Sequence, residues 1–212
     1  MKIAILDYGL GNLRSVEQAF KHLGADVQLC EAPAQLAGAE AYVIPGVGGF
    51  GDGMKGLESR GLAGPAKDWA RAGKPLLGIC LGLQLLFESS EESPGVAGLG
   101  LLKGQVKLFK GTGFGPGGLK VPQMGWNSIQ VRNAHPVFEG LPTGAHTYFV
   151  HSFYCAASNS SDTLLESEYG VKFCAAAGTG RVVGCQFHPE KSQETGLKIL
   201  RNFLAWAKPG PA

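Results

Sequence analysis

Residues 1–90 alternate short apolar runs with amphipathic stretches, and this alternation narrows the choice of fold sharply. "KIAILDYG" is short and β-branched and reads as a buried strand. "NLRSVEQAFKHLG" follows, with Val16, Phe20 and Leu23 on one helical face and Gly24 placed to end the helix. "ADVQLC" and "AYVIPG" read as the second and third strands. "GLAGPAKDWARAG" is expected to be helical after Pro65, "PLLGIC" to be a fourth strand and "LGLQLLFESS" a helix. Strands that alternate with helices pair in parallel, and the helices cover both faces of the sheet.

The second half is patterned differently. "GQVKLFKG", "NSIQV", "HTYFVHSFYCAA" and "VKFCAAAG" are strand-like, with few helices between them. They are expected to add antiparallel strands to the sheet or its edge. "VVGCQFHPE" is a further strand. "SQETGLKILRNFLAWAK" closes as a helix, with Ser192 as N-cap and Leu197, Leu200, Phe203 and Leu204 as its apolar stripe. No internal repeat or second hydrophobic pattern divides the chain, so residues 1–212 are expected to form one domain.

Composition excludes several classes. A net charge of +2, with 17% charged residues, gives no electrostatic case for nucleic acid or an anionic membrane. The five cysteines, Cys30, Cys80, Cys155, Cys174 and Cys185, are odd in number, widely spaced and free of any C-x-x-C. Neither a disulfide framework nor a cysteine zinc site is expected, and a reduced, cytoplasmic setting fits. The apolar start before Asp7 is too short for a signal peptide, and no apolar run approaches the ~20 residues of a membrane span. Glycine, at 33 residues, is about twice its usual ~7% share. Some glycines supply turns, and some let backbone amides face a ligand.

Two glycine clusters imitate a dinucleotide fingerprint. "GFGPGG", residues 113–118, fits the expression, but "LKVPQMGWN" follows with Pro122 and no helical stripe. A pyrophosphate needs a helix N-terminus there. "DYGLGN" has the strand and helix but carries Arg14 at the third glycine position, so a tight βα turn is expected.

"GICLG" is a G-x-C-x-G pattern between a buried strand and a helix, the setting of a nucleophile elbow. A sharp turn lifts the side chain off the sheet, and small neighbours make room for it. A helix N-terminus favours the thiolate, and the Leu81 amide can point at an oxyanion. Free cysteine is also among the most buried residue types, so the pattern alone leaves a core role for Cys80 open. "QFHPE" adds His188 and Glu190, two residues apart and expected on one face of an extended strand end. A carboxylate beside an imidazole fixes its tautomer and supports the imidazolium. His188 alone reads as a structural histidine; with Cys80 and Glu190 it completes a nucleophile, base and orienting acid. "IPGVGGFGDGM", residues 44–54, follows the third strand with glycines that allow unusual backbone angles, or that simply form a loop.

Together, "PGVGGFGDGM", "GICLGLQLLFESSEE", "VPQMGWN", "YFVHSFY" and "QFHPEKSQETGL" resemble the class I (triad-type) glutamine amidotransferases. Within that class they look like the family of glutaminase subunits of imidazole glycerol phosphate synthase. The resemblance runs from residue 45 to 197, and "DYGLGNLRSV" also fits. It implies a flavodoxin-like three-layer α/β fold with a mostly parallel sheet and added antiparallel strands. Cys80 would be the nucleophile, His188 the acid/base and Glu190 its orienting residue. Val47, Gly48 and Leu81 would form the oxyanion site, and Gly46, Gly48, Gln84, Glu92, His151 and Ser152 would bind L-glutamine. No cofactor or metal is implied. "VPQMGWN" often carries histidine where this chain has Gln123, and "GTGFGPGG" is long for the family.

The resemblance also implies a partner, a (β/α)8-barrel cyclase subunit in a heterodimer, which receives ammonia and forms imidazole glycerol phosphate and an aminoimidazole carboxamide nucleotide. Trp126, Asn127, Tyr148 and Lys191 are the interface candidates; core packing is the other reading of the two aromatics. The family's glutaminase is nearly silent until the cyclase binds its nucleotide, and the glycines of residues 46–49 would make the rotation of a peptide cheap. Two other readings compete. A cysteine hydrolase of the α/β-hydrolase type has its acid before its histidine, whereas Glu190 follows His188. A non-catalytic assembly subunit would not need all three residues.

Overall fold

The computed structural model describes residues 1–208. The first half contains β1 (Lys2–Leu6), α1 (Leu13–His22), β2 (Asp26–Cys30), β3 (Ala41–Ile44), α2 (Phe50–Ser59), α3 (Ala63–Arg71), β4 (Leu76–Ile79), α4 (Leu81–Leu86) and β5 (Ser89–Ser90). Then come β6 (Gly104–Leu108), β7 (Gln123–Ser128), β8 (Gln130–Val131), β9 (His146–His151), β10 (Phe153–Ala157), β11 (Thr163–Tyr169), β12 (Val171–Thr179), β13 (Val182–Cys185) and α5 (Gln193–Ala207).

β2, β1, β3, β4 and β13 lie side by side in that order, every pair parallel. β12, β10 and β6 continue the sheet antiparallel, and β11 pairs with both β12 and β8. β7 and β9 form a separate two-stranded sheet. The alternation of side chains along β1 divides the core into two. Ile3 and Ile5 meet Val16 and Phe20 of α1 and Ile199, Leu200 and Phe203 of α5 on one face. Ala4 and Leu6 meet Phe50, Met54 and Leu57 of α2, Ala66 of α3 and Leu81 of α4 on the other. This is the three-layer α/β arrangement expected from the strand–helix alternation.

Several segments depart from the sequence expectation. "HTYFVHSFYCAA" breaks at Ser152 into β9 and β10, which belong to different sheets. The helix after Cys80 stops at Leu86, and Ser89–Ser90 pairs with β6 instead. α3 begins at Ala63, so Pro65 lies inside its first turn, where its missing N–H costs nothing. "TLLESEY" forms β11 despite its two glutamates, because Leu164, Leu165 and Ser167 are buried and Glu166 faces Arg132 and Lys172. The "GTGFGPGG" segment is a loop with no helix, anchored by Phe114 against Phe109 and Tyr169 at centroid distances of 5.6 and 6.1 Å. Among the described residues no helix is long and apolar enough to cross a membrane.

α2 was hidden by its glycines, which are poor helix formers. Here they allow close approach. A Cβ on Gly56 would lie 2.3 Å from the Tyr8 carbonyl oxygen, and one on Gly53 would lie 3.1 Å from both Leu85 methyls. Backbone cannot swing aside as a side chain does. Gly56→Ala is therefore expected to destabilise the fold by about 1–3 kcal/mol, despite its better helix propensity. Thermal unfolding should show a fall of roughly 2–4 °C for each kcal/mol; an unchanged or raised Tm would contradict this packing.

Candidate functional site

Three loops leave the carboxyl ends of the adjacent parallel strands β3, β4 and β13. They carry residues 45–49, Cys80 and His188–Glu190 respectively. Open α/β sheets place ligands at this edge.

Cys80 has φ 54° and ψ −107°, outside the regions that L-residues favour. Its flanking glycines explain how the turn fits. A Cβ on Gly78 would come within 2.7 Å of the Gly82 backbone, and one on Gly82 within 1.7 Å of the Ile44 carbonyl oxygen. The turn is held by Cys80 N–H donating to the Cys185 carbonyl at 2.8 Å and by Gln84 N–H donating to the Cys80 carbonyl at 3.2 Å. Cys80 is 6% exposed and opens on a cavity of about 310 Å³.

His188 and Glu190 are not on an extended strand. β13 ends at Cys185, and Pro189–Lys191 form a 3-10 turn that starts at the proline, whose fixed φ suits that position. The turn, rather than a shared strand face, brings the two side chains together, and Nδ1 of His188 lies 2.8 Å from Glu190 Oε1. Nε2 is then the free nitrogen, buried without a hydrogen-bond partner, as is Glu190 Oε2. Burial alone would lower the imidazole pKa. Cys80 and Glu190 outweigh it, and the pKa is raised to about 10. Ser192 stands at the N-cap position of α5, as expected, but its hydroxyl does not cap the helix: it donates to the His188 carbonyl at 2.6 Å and accepts Tyr148 N–H at 3.0 Å. It ties the histidine turn to β9.

The cavity wall includes Val47, Gly48, Cys80, Leu81, Gln84, Glu92, His151 and Ser152. Gly46, His188 and Glu190 are not in the lining. Glu92 does more than face the cavity: its Oε2 accepts Phe50 N–H at 2.7 Å, and Ser93 Oγ accepts Gly51 N–H at 3.0 Å, so the two cap α2. His151 sits among Phe109, Phe149 and Phe173 at 5.2–5.5 Å. Its Nδ1 is 2.8 Å from the Phe153 carbonyl, so Nδ1 carries the proton and Nε2 is a buried bare acceptor. Burial lowers its pKa to about 4; the Nδ1 hydrogen bond opposes this and His188 adds to it.

Leu81 N–H donates to the Gly46 carbonyl at 3.4 Å, so this amide does not face the cavity unengaged. Gly46 is wedged: a Cβ there would meet Tyr8 Oη at 2.1 Å and Leu81 Cβ at 2.9 Å. The Tyr8 hydroxyl donates to the Pro45 carbonyl and pins the segment. Burial first, then Cys80 and Asp7, keep that hydroxyl protonated well beyond the usual tyrosine range. Gly48 has φ 109°, which only glycine adopts readily. Tyr8, Ser192 and Gln186 were not expected at the site. Gln186 had a visible signal, a polar residue in an apolar strand; Tyr8 had none.

Trp126 and Tyr148 are directly opposed across β7 and β9, edge to face at 6.1 Å, and Lys191 Nζ lies 6.0 Å over the Tyr148 ring. Val47, Val121, Met124 and Trp126 are exposed apolar side chains, Met124 at 66%. Asn127 is engaged elsewhere, its Nδ2 donating to the Glu168 carbonyl at 2.8 Å. Gln123 is buried beside His151 in register, with Oε1 unpartnered.

The profile of the family described as glutamine amidotransferase class-I matches residues 4–206. An imidazole glycerol phosphate synthase subunit HisH of Moorella thermoacetica is 45% identical over 201 residues, covering 95% of this chain and 93% of the relative. One of Methanosarcina mazei is 47% identical, covering 96% of this chain and 98% of the relative. A solved glutamine amidotransferase is 22% identical with a TM-score of 0.74, over 97% of this chain and 98% of that one. A chain in the structure of PurLQS from Thermotoga maritima is 22% identical with a TM-score of 0.75, over 98% of this chain and 99% of that one. At that identity the likeness speaks to the fold alone.

A raised His188 pKa means the folded state holds the proton more tightly than the unfolded one. The stability this contributes is complete below about 6.5 and is lost as pH rises toward about 10. Cys80 leads the influences that raise it, so Cys80→Ala should move the imidazole titration, followed by NMR of the ring protons, to lower pH. An unmoved midpoint would contradict the coupling.

Proposed function

The chain belongs to the class-I glutamine amidotransferase family, and we propose that within it the chain is the glutaminase subunit of an imidazole glycerol phosphate synthase. The observation that carries the catalytic reading is the set Cys80, His188 and Glu190 at one sheet edge, with Nδ1 of the histidine hydrogen-bonded to Glu190.

The Cys80 thiolate attacks the carboxamide carbon of glutamine, forming a C–S bond and an oxyanion. Collapse breaks the C–N bond, and His188 delivers its Nε2 proton to the departing nitrogen, releasing ammonia. A water then gives its proton to His188 and attacks the γ-glutamyl thioester. Glutamate leaves, and the sulfur returns to thiolate. Glu190 supports the imidazolium throughout. Gln84, Glu92, His151 and Ser152 offer the polar wall for the substrate's two ends.

The oxyanion needs donors, and each is worth about 2.7–4 kcal/mol. With Leu81 N–H turned to the Gly46 carbonyl, that donor is withheld. We infer that the Gly46–Val47 peptide rotates to release it while Tyr8 holds the Pro45 carbonyl, which makes this segment a gate. The exposed apolar set around Trp126 supports a partner at the cavity mouth, and the barrel cyclase is the partner assigned, with ammonia passing directly to it. All described helices pack on one sheet, which supports a single domain. The five cysteines are unpaired and buried, which suits a reducing cytoplasm.

Cys80→Ala, assembled with a cyclase subunit, is expected to lose glutamine-dependent synthesis by several orders of magnitude and to keep synthesis from ammonium. Retained glutamine-dependent synthesis would rule out the thioester route. Loss of both activities would point to an assembly role.

A further inference from the structure

Gln186 follows the last residue of β13 and is completely buried. A buried amide costs free energy unless its polar atoms are matched. Its side chain has two partners. Oε1 accepts from Gln84 Nε2 at 3.2 Å, and Nε2 donates to Cys80 Sγ at 3.8 Å.

The direction of this chain is set from outside it. Gln84 Nε2 also donates to the Phe153 carbonyl at 3.1 Å, and a carbonyl only accepts. That fixes which end of the Gln84 amide is nitrogen. The second N–H of this nitrogen calls for an oxygen on Gln186, and the Gln186 nitrogen is left facing the sulfur. A second neighbour pulls the other way. The Val150 carbonyl lies 3.9 Å from Sγ, where it accepts from a neutral thiol and repels a thiolate. Gln186 is the donor that opposes it.

We propose that Gln186 is a catalytic residue of this site, whose buried amide donates to the Cys80 sulfur and holds it as an anion aimed at the substrate carbonyl. The inference rests on the thioester reading above and adds a group to it. No proton is transferred: the N–H stays on Gln186 while the sulfur forms and breaks its bond to carbon. A hydrogen bond to the charged form of a group favours that form. Gln84, one helical turn from Cys80, acts through Gln186 as well as lining the cavity.

The test is alkylation of Cys80 by iodoacetamide in the full-length chain, read at its own peptide because the other four cysteines are also buried. Gln186→Met removes the donor at similar length. Gln186→Glu keeps an acceptor for Gln84 and turns an oxygen toward the sulfur. At neutral pH the Met variant is expected to react roughly tenfold more slowly than the parent and the Glu variant more slowly still, with both rate–pH curves displaced upward. Folded variants with the parent's rate–pH curve would overturn the proposal, since a purely structural role does not move that curve. The unsubstituted chain supplies an independent measurement. The side-chain amide protons of Gln186 should shift in NMR as Cys80 titrates, and should lose that response in Cys80→Ala. Amide resonances that ignore the titration overturn it, whatever becomes of the variants. Neither readout involves glutamine, so failure of the thioester route, seen as glutamine consumption by Cys80→Ala, is separate from failure of this contact.

Discussion

The backbone turn at Cys80 is the constraint on which the rest of the site depends. A non-glycine residue at φ 54° and ψ −107° costs about 1–3 kcal/mol and persists only where its surroundings over-determine it. Here they do. The Cys80 N–H is tied to the neighbouring strand at Cys185, and its carbonyl is tied into α4 through Gln84. Gly78 and Gly82 let strand, turn and helix nest at distances that no side chain tolerates. The result is a sulfur raised over the carboxyl edge between the segment after β3 and the histidine turn after β13.

Electrostatics then decide what that sulfur can do. Burial opposes charge on His188, yet its pKa is raised, because Cys80 and Glu190 together outweigh desolvation. His151, almost as deeply buried but hydrogen-bonded only to a carbonyl, goes the other way and stays neutral. Two histidines in one site are therefore held in opposite protonation states by their neighbours. One holds a proton at neutral pH, and the other keeps Nε2 as a buried, unpartnered acceptor.

Much of this was legible in the sequence because it depends on local rules. The short apolar runs and helical stripes of residues 1–90 predict the parallel sheet, and G-x-C-x-G after an apolar strand predicts an elbow. The rest depends on contacts between distant residues. α2 has glycines where propensity wants alanine, and only the nearness of Tyr8 and Leu85 explains them. "HTYFVHSFYCAA" reads as one strand because nothing local marks Ser152 as the crossing between sheets. Glu92 looks like a solvated acid until α2, more than forty residues earlier, places an unsatisfied N–H against it. The proline of "HPE" reads as a strand end, whereas its fixed φ starts the turn that brings imidazole and carboxylate together.

What joins these parts is a covalent claim, that the carboxamide carbon of glutamine passes through the Cys80 sulfur. The direct measurement is to mix the chain, assembled with a cyclase subunit and its nucleotide, with glutamine, quench during turnover with acid, and examine the Cys80 peptide by mass spectrometry. A γ-glutamyl adduct on Cys80, appearing and decaying with turnover, is the predicted result. Full turnover with Cys80 unmodified at every time point, or an adduct on another residue, would contradict the account.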